Sequence, residues 1–369
     1  MHVDSLEVGN FRNYEFAKID FHPNTNILYG DNAQGKTNLL EAVFVCGTTK
    51  SHKGSKDKEL VSIGKEEAHI RLHLTKKEMT HRIDMHLKKN KGKGIAIDGI
   101  PIKRSSELLG LLNVIFFSPE DLRIVKNGPA ERRKFIDMEL CQLDQVYLHD
   151  LKEYNKILMQ RNKLLKQISF QPSLEDTLDI WDMQLASYGR EVSQYRREFI
   201  GELNELIRPI HQKLSGGKEE LVIQYEPNTE ADQLEAAVKK SREADRKQKT
   251  TLVGPHRDDL SFYVNGIDIR RFGSQGQQRT AALSLKLAEI ELVKKIKKEY
   301  PILLLDDVLS ELDGKRQDHL LASIRHIQTI ITCTGLDDFI SHSFQIDKTF
   351  RVVSGTVTCE RPNKTTSQT

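Results

Sequence analysis

The sequence predicts an α/β fold in which a phosphate-binding loop joins a buried strand to a helix, together with a second, mostly helical domain. The first indication is the apolar run Ile27 to Tyr29, which precedes a glycine-rich segment and a helical pattern of apolar residues through Cys46. The second is period-two alternation, typical of strands, at 70–74, 82–87 and 95–97. The third is a pair of long, highly charged helical stretches in the middle of the chain.

The predicted elements alternate between strand-rich ends and a helical middle. Asp98-Gly99 is a hairpin turn signal. Residues 130–167 and 174–214 then form the two long helical stretches, which we expect to pair antiparallel. At 1.5 Å per residue an arm of about 60 Å at most could form, so no long coiled coil is expected.

After the helical arm, Ser215-Gly216-Gly217 is expected to end the second helix, and 229–249 is predicted to be a polar helix whose charges face solvent. Strands are predicted at 221–225, after Leu252, and at the positions 302–305, 329–332, 350–353 and 357–359, with a frayed tail at 361–369. We predict a core of residues 1–118 and 296–369, split by a helical lobe of residues 119–295.

Composition excludes several classes of protein. The 369 residues carry 56 Lys and Arg against 53 Asp and Glu, so a net charge of +3 does not decide the partner. No apolar run reaches the roughly 18 residues of a membrane span, and the N-terminus lacks the layout of a signal peptide. The four cysteines are scattered, which supports neither a disulfide framework nor a metal site. We expect a cytoplasmic protein.

The glycine-rich segment is a complete phosphate-binding P-loop. Its backbone N–H groups are expected to face phosphate oxygens, while Lys36 reaches the β and γ phosphates and the Thr37 hydroxyl holds Mg²⁺. The loop consists of Gly30, Asp31, Asn32, Ala33, Gln34, Gly35, Lys36 and Thr37.

A pair of acids follows the apolar run 302–305. Asp306 is expected to bind Mg²⁺ or its water ligands, and Asp307 to orient the attacking water. By themselves these residues fit equally well a buried strand that ends in a turn. Many ATPases of this type have Glu at the second position, so the shorter Asp307 predicts slow hydrolysis.

A third motif opens a helix with an apolar stripe and a serine cap. Such a helix start can hold an anion through its N–H groups and dipole. Taken by itself the segment favours an ordinary capped helix, and only the motifs together favour the anion site. The motif is Ser274, Gln275, Gly276, Gln277 and Gln278, and the stripe is Ala281, Leu285, Ala288, Leu292 and Ile296. Together the motifs resemble those of the ATP-binding-cassette (ABC) superfamily, in which this helix grips nucleotide held by the other subunit.

Three further stretches are more specific. They read Asn10-Phe11-Arg12-Asn13-Tyr14, Ser118-Pro119-Glu120-Asp121-Leu122 and Gly254-Pro255-His256-Arg257-Asp258-Asp259-Leu260. With Arg132-Arg133-Lys134-Phe135-Ile136-Asp137 and the motifs above, they resemble the RecF family along the whole chain. The resemblance implies an ABC-type, Rad50-like P-loop ATPase head without a long coiled coil.

The same resemblance implies a function. It predicts an ATP-dependent homodimer on single- and double-stranded DNA that works with RecO and RecR to help load RecA at gaps coated by single-strand-binding protein. It implies ATP and Mg²⁺ as ligands and adds Arg12 as a further nucleotide contact. It matches the P-loop, the residues Ser274, Gly276 and Gln277, and the acids Asp306 and Asp307.

Two segments depart from the patterns of relatives. Lys53-Gly54 stands where relatives commonly have Arg-Thr, which puts a bidentate phosphate contact in doubt. Thr332-Cys333-Thr334 stands where many cassette ATPases have a histidine that senses the γ-phosphate, and relatives of this family usually have threonines; the missing histidine again predicts slow hydrolysis.

Clustered lysines with few interleaved aromatics predict contact with the nucleic-acid backbone and no base reading. Each lysine individually fits a solubilising surface charge as well. The candidates are Lys50, Lys53, Lys56, Lys89, Lys91 and Lys93, with Lys76, Lys77 and Lys88 beside them.

Alternatives stay open on the residues alone. The superfamily motifs also fit the energising subunit of a membrane transporter, although the helical insertion argues against that. A chromosome-organising or nuclease-accessory head is a third class, which usually needs a long coiled coil. His256 beside Asp258 and Asp259 invites a nuclease or metal interpretation, but no further ligands are visible, so a structural turn is favoured.

Overall fold

The computed structural model describes residues 1–336 and 344–360. The strands are β1 His2–Phe11, β2 Tyr14–Asp20, β3 Thr25–Tyr29, β4 Glu67–Lys76, β5 Met79–Lys88, β6 Gly94–Ile97, β7 Ile100–Pro101, β8 Val114–Phe117, β9 Leu221–Glu226, β10 Asp259–Val264, β11 Ile267–Asp268, β12 Ile302–Asp306, β13 Thr329–Cys333, β14 Lys348–Val353 and β15 Thr356–Glu360. The α-helices are α1 Lys36–Thr48, α2 Asp57–Leu60, α3 Leu122–Lys126, α4 Pro129–Leu143, α5 Gln145–Ile168, α6 Leu178–Leu214, α7 Leu234–Gln248, α8 Gln275–Lys297 and α9 Gly314–Ser323.

The chain divides into two compact units. Unit 1 contains residues 1–121 and 289–369, and unit 2 contains residues 122–288. The domain division predicted after residues 118 and 295 stays a prediction. The frayed tail predicted at 361–369 lies outside the described residues.

Unit 1 contains two six-stranded sheets. The first is antiparallel in the order β2-β1-β4-β5-β6-β7, and the predicted turn at Asp98-Gly99 joins β6 to β7 with positive φ at both residues. The second has the order β15-β14-β3-β13-β12-β8 and is parallel except for β15 at its edge. Its strands β3, β8, β12 and β13 are almost entirely buried, as expected for parallel strands covered on both faces.

The parallel sheet brings the parts of the candidate nucleotide site to one edge. Because β3, β12 and β13 run in one direction, their carboxyl ends lie at the same edge of the sheet. The P-loop follows β3, Asp306 ends β12, and Thr332 lies near the end of β13. Ligands of open parallel sheets bind at this kind of edge.

Unit 2 combines helices with the three-stranded antiparallel sheet β11-β10-β9. The predicted antiparallel helical pair is present as α5 and α6, since Arg161 pairs with Asp182 and Tyr147 with Arg196. At 1.5 Å per residue, the 37 residues of α6 span roughly 55 Å.

The first long helical stretch is not continuous, contrary to the prediction for 130–167. The extended backbone of Asp144, with φ of −136°, ends α4, and its carboxylate accepts hydrogen bonds from the N–H groups of Val146 and Tyr147. Asp144 therefore caps the start of α5 while it stops α4, as short polar side chains favour.

The prediction that the charges of the polar helix face solvent was wrong for two of its residues. The charges of α7 do not all face solvent, because Asp245 is fully buried against Arg161 and Arg242 pairs with the buried Asp182. On α8, four members of the predicted stripe are buried but Ile296 is 42% exposed, because it lies at the last turn of the helix. Among the residues described, no helix is long and apolar enough to cross a membrane.

Candidate nucleotide-binding site

The P-loop needs glycine at two positions, because the backbone there is left-handed and neighbouring atoms leave no room for a Cβ. Gly30 has φ of +146°, and a Cβ there would lie 2.3 Å from the carbonyl oxygen of Val352. Gly35 has φ of +112°, and a Cβ there would lie 2.5 Å from Asn13 Nδ2 and 2.8 Å from the Tyr14 hydroxyl. Both positions combine left-handed backbone with close neighbours, which only glycine accommodates.

Lys36 is the first residue of α1 and is buried. Its Nζ donates to the carbonyl oxygens of Gly30 and Asp31, at 2.6 and 2.7 Å, so the side chain lies across the loop. Burial lowers the pKa of Lys36, and the nearby Asp307 carboxylate opposes that shift. Among the other loop residues, Asp31, Asn32 and Ala33 are exposed, while Gln34 and Thr37 are half-buried.

Three distant segments meet at one carboxylate oxygen. The hydroxyls of Thr37 and Thr332 each donate to Asp306 Oδ1 at 2.7 Å. Hydroxyl and carboxylate oxygens are hard ligands of the type that Mg²⁺ prefers. The Thr37 and Asp306 side chains therefore fit the magnesium-binding role predicted for them. The sequence did not show that Thr332 donates a hydrogen bond to Asp306 in the same site.

Asp307 adopts a left-handed conformation, with φ of +53°. Its N–H donates to the carbonyl and the hydroxyl of Thr332, at 3.2 and 3.1 Å, and its carbonyl accepts from the Ser310 hydroxyl at 2.8 Å. Burial, with the adjacent Asp306 charge, raises the pKa of Asp307. A carboxylate with a raised pKa accepts protons more readily, which suits a residue next to an attacking water.

Two turns support the P-loop through Gln34. Asn13 Nδ2, in the turn between β1 and β2, donates to the Gln34 carbonyl at 3.1 Å. In the turn between β14 and β15, the N–H of Gly355 donates to that carbonyl at 3.2 Å, and the N–H of Ser354 to Gln34 Oε1 at 2.6 Å. Ser354 and Gly355 carry no motif, so sequence reasoning missed them.

Arg12 lies beside the loop with every guanidinium nitrogen engaged by protein. Nε and Nη2 form a bidentate pair with the buried carboxylate of Glu41, at 2.7 and 3.0 Å. Nη2 also donates to Ser55 and Nη1 to the Glu59 carbonyl. Burial raises the pKa of Glu41, but hydrogen bonds from Arg12 and Ser51 outweigh burial and bring that pKa below its ordinary value. This arrangement ties the segment 55–59 to α1, and the nucleotide contact expected of Arg12 stays a prediction.

The third motif, Ser274 to Gln278, lies in unit 2 and forms a capping box at the start of α8. Ser274 Oγ accepts from the N–H of Gln277 at 3.2 Å, and Gln277 Oε1 accepts from the N–H of Ser274 at 3.0 Å. Gln278 is buried and donates to the Ile269 carbonyl, while Ser274 and Gln275 are exposed. The helix start with Gly276 is thus rigidly formed, as the predicted cap requires.

The segment 254–260 is joined to the segment 132–137 by ion pairs of buried arginines within unit 2. Arg132 binds Asp259 in a bidentate pair at 2.6 and 3.0 Å. Arg196 joins Asp258, at 3.0 Å, to Asp137, at 2.8 Å. These contacts support the structural interpretation of the segment.

His256 in the same segment is held neutral. Its Nδ1 lies 2.6 Å from the Tyr154 hydroxyl and its Nε2 lies 3.0 Å from the Thr251 carbonyl, so Nε2 carries the proton and Nδ1 accepts. Burial lowers the pKa of His256 to about 4. Both ring nitrogens are used internally, which leaves no role for this residue as a metal ligand.

The predicted DNA-binding lysines form two groups that the fold brings together. Lys93 Nζ donates to the Thr49 carbonyl and lies 3.1 Å from the Asp57 carboxylate, so the turn after β5 lies against the segment 49–57. Lys93 is therefore occupied as a tether. The remaining candidates Lys50, Lys53, Lys56 and Lys91 are exposed, and Lys89 is half-buried.

Lys76, named beside them, has a structural role. Its ammonium donates to the carbonyls of Gly110 and Leu111, and burial lowers its pKa.

Comparison with known proteins places the chain. Residues 2–357 match the family described as the RecF/RecN/SMC N terminal domain. The "DNA replication and repair protein RecF" of Lachnoclostridium phytofermentans is 64% identical over 357 residues, which cover 97% of this chain and 99% of the relative. The chain belongs to the RecF family. The RecF of Agathobacter rectalis is 60% identical over 357 residues, which cover 97% of this chain and 99% of that relative.

Solved structures agree with that membership and confirm the predicted fold class. A solved structure of the "recombination mediator protein RecF-ATP in RecFOR pathway" is 37% identical, with a TM-score of 0.91 and 97% of each chain covered. An SMC head bound to the C-winged helix domain of ScpA shares only 17% identity and a TM-score of 0.59, with 99% of each chain covered, which shows a common fold. This RecF-type chain is thus an α/β ABC-type ATPase of DNA replication and repair, and the transporter alternative is wrong.

Proposed function

We propose that this RecF-family chain is an ATP-gated DNA-binding switch of recombinational repair. The observation that supports it best is the shared carboxylate of Asp306, on which the hydroxyls of Thr37 and Thr332 converge at 2.7 Å. A P-loop, the end of a buried strand and the end of its neighbour thereby form one oxygen-rich site. Such a site suits a magnesium nucleotide.

The residues of the loop fit a triphosphate. Gly30 and Gly35 keep side chains out of the cradle, and the backbone N–H groups of the loop then bind phosphate oxygens. Lys36 exchanges its two carbonyl partners for the β and γ phosphates, while Thr37 and Asp306 hold Mg²⁺. Mg²⁺ held by these residues would neutralise part of the phosphate charge.

Asp307 positions the attacking water. It is one methylene shorter than the glutamate that many cassette ATPases have there, and its backbone is fixed by Thr332. A shorter carboxylate reaches the water less well, and no histidine stands at Thr332. Slow hydrolysis follows, so the ATP-bound state is long-lived.

The second half of the site comes from another copy of the chain. The α8 start is pre-formed by the Ser274–Gln277 capping box, and a helix N-terminus binds anions. We infer that residues Ser274 to Gln278 grip the γ-phosphate held by the partner of an ATP-dependent homodimer. Dimerisation responds to ATP only if the dimer has more affinity for it than the monomer does.

DNA binding is assigned to the exposed lysines. Lys50, Lys53, Lys56 and Lys91 contact phosphates without reading bases, with Lys89 beside them. Changing Lys50, Lys53 and Lys56 together to Ala is expected to lower the slope of log affinity against log salt by about 2 to 3. An unchanged slope removes these residues from the interface.

We infer the partner proteins of this chain from its family. The solved RecF-ATP relative is described as acting in the RecFOR pathway, and we extend that pathway to this chain. It then acts with RecO and RecR to help load RecA at gaps in DNA coated by single-strand-binding protein. A head of this fold could also serve chromosome organisation, but the likeness to SMC heads concerns the fold alone.

The test compares DNA retention and self-association with ATP, with ADP and without nucleotide. Lys36→Met should abolish the ATP-dependent part of both, whereas Lys240→Met, on the exposed face of α7, should change neither. Equal behaviour of the unmodified chain in all three nucleotide states contradicts the switch.

A further inference from the structure

The exposed face of the first sheet carries a cluster of ligating side chains that shares no residue with the candidate nucleotide site. Ala68 is buried, so its neighbours Glu67 and His69 both point to the opposite, exposed face of β4. His86 on β5 is directly paired with His69 across the strands. Strand register thereby brings two imidazoles and one carboxylate together.

The distances within this cluster suit a metal ion. One ligand atom from each residue lies within 4.8 Å of the others. His86 Nε2 is 2.8 Å from Glu67 Oε2, and His69 Nε2 is 3.7 Å from Glu67 Oε1. Two ligands of a tetrahedral Zn²⁺ are about 3.3 Å apart, given metal–ligand bonds of about 2.0 to 2.1 Å.

The side chains can reach that geometry at little cost. Their exposed fractions are 49% for Glu67, 54% for His69 and 33% for His86, so the rotamers are not locked by packing. The two imidazole rings stack at 4.1 Å between centroids, with their planes 26° apart, so they already lie side by side. Among residues 1–336 and 344–360, this is the one group of three such residues with ligand atoms at this spacing.

We propose that Glu67, His69 and His86 form a binding site for a divalent transition cation, Zn²⁺ above all. Imidazole favours zinc over magnesium, and two histidines with one glutamate leave the fourth position of a tetrahedral ion open. His69 and His86 also line a surface groove of about 610 Å³, together with Glu7, Phe16 and Arg71. The site is distinct from Thr37 and Asp306, whose oxygens suit Mg²⁺.

The local charges set the affinity. Lys88 Nζ lies 3.9 Å from Glu67 and competes with the ion for that carboxylate. An exposed three-residue site opposed by a lysine is expected to bind zinc in the micromolar range and not more tightly.

The test is titration of the untagged, nucleotide-free chain with Co²⁺, followed by visible absorption, and with Zn²⁺, followed by calorimetry. One ion per chain should bind without the thiolate charge-transfer band that a cysteine ligand would produce. His69→Ala and His86→Ala should each weaken binding at least tenfold. Their thermal midpoints without metal should lie close to that of the unmodified chain, since His69 is exposed and His86 is half-buried at the surface of the sheet.

The matched control is His81→Ala. His81 lies on the same strand as His86 and pairs with one carboxylate, Asp98, at 2.9 Å. Within the described part of the chain it belongs to no group of three ligating side chains. This variant should keep full affinity. The proposal is overturned if either His69→Ala or His86→Ala binds as the unmodified chain does, if His81→Ala loses as much, or if binding is weaker than about 1 mM.

Discussion

The buried ion pairs beneath α7 allow a quantitative prediction about unit 2. Arg161 donates to Asp182 at 2.6 Å and to Asp245 at 2.7 Å, and all three side chains are fully buried. Arg242 is the other cation of the group and pairs with Asp182 at 2.6 Å. Replacing Arg161 by Met leaves the buried Asp245 without its arginine partner, whereas Asp182 keeps Arg242.

The cost of that change follows from the burial. Removing one partner of a buried pair typically costs about 3 to 5 kcal/mol, because the remaining charge stays desolvated. For a unit of the size of residues 122–288, each kcal/mol lowers the thermal midpoint by about 2 to 4 °C. We therefore expect Arg161→Met to lower the midpoint of unit 2 by about 6 to 20 °C in scanning calorimetry.

Arg246→Met provides the control for Arg161→Met. Arg246 pairs with Glu175 on the surface, where both side chains are more than 40% exposed, and such pairs contribute below about 1 kcal/mol. Adding Asp245→Asn to Arg161→Met should recover part of the lost thermal midpoint, since it removes the buried carboxylate charge that no longer has an arginine partner. Equal midpoints for Arg161→Met and Arg246→Met would refute the reasoning.

Three further outcomes are expected. Gly35→Ala should weaken ATP binding at least tenfold in calorimetry, because its Cβ meets Asn13 and Tyr14, whereas Gly92→Ala, with open space around it, should not. Asp307→Asn should retain ATP binding but lower turnover by roughly 100-fold, measured as phosphate release; unchanged turnover removes Asp307 from the reaction. His256 has its folded pKa depressed to about 4, so the unfolded chain gains its proton first as pH falls through about 6.5. Stability should therefore drop between pH 6.5 and 4 by about 2 to 3 kcal/mol more in the unmodified chain than in His256→Gln, measured by urea unfolding, and parallel pH profiles would contradict the assignment.

Much of the nucleotide site could be predicted because its residues lie on contiguous motifs. The P-loop must follow a strand and open a helix, and β3 and α1 do so at the predicted place. The spacing of Ser274 and Gln277 similarly encodes a capping box, which the structure contains. Such features depend on backbone geometry within a few residues.

Other members of the site could not be read from any motif. Thr332 reaches Asp306 only because β13 pairs with β12, and Ser354 reaches Gln34 through the turn after β14. Lys93 resembled any exposed lysine in sequence, yet it tethers its turn to Asp57. Each of these contacts joins residues that are 20 or more positions apart.

The sequence by itself determined the fold class, the family and the local form of each motif, because periodicity and spacing act on neighbouring residues. The tertiary structure decided which charges are buried and which side chains meet. Asp245 on a polar helix became part of a buried network, and His69 met His86 through strand register. Burial and pairing arise from segments distant in the chain, so desolvation and ligand geometry appear only once the strands and helices are packed.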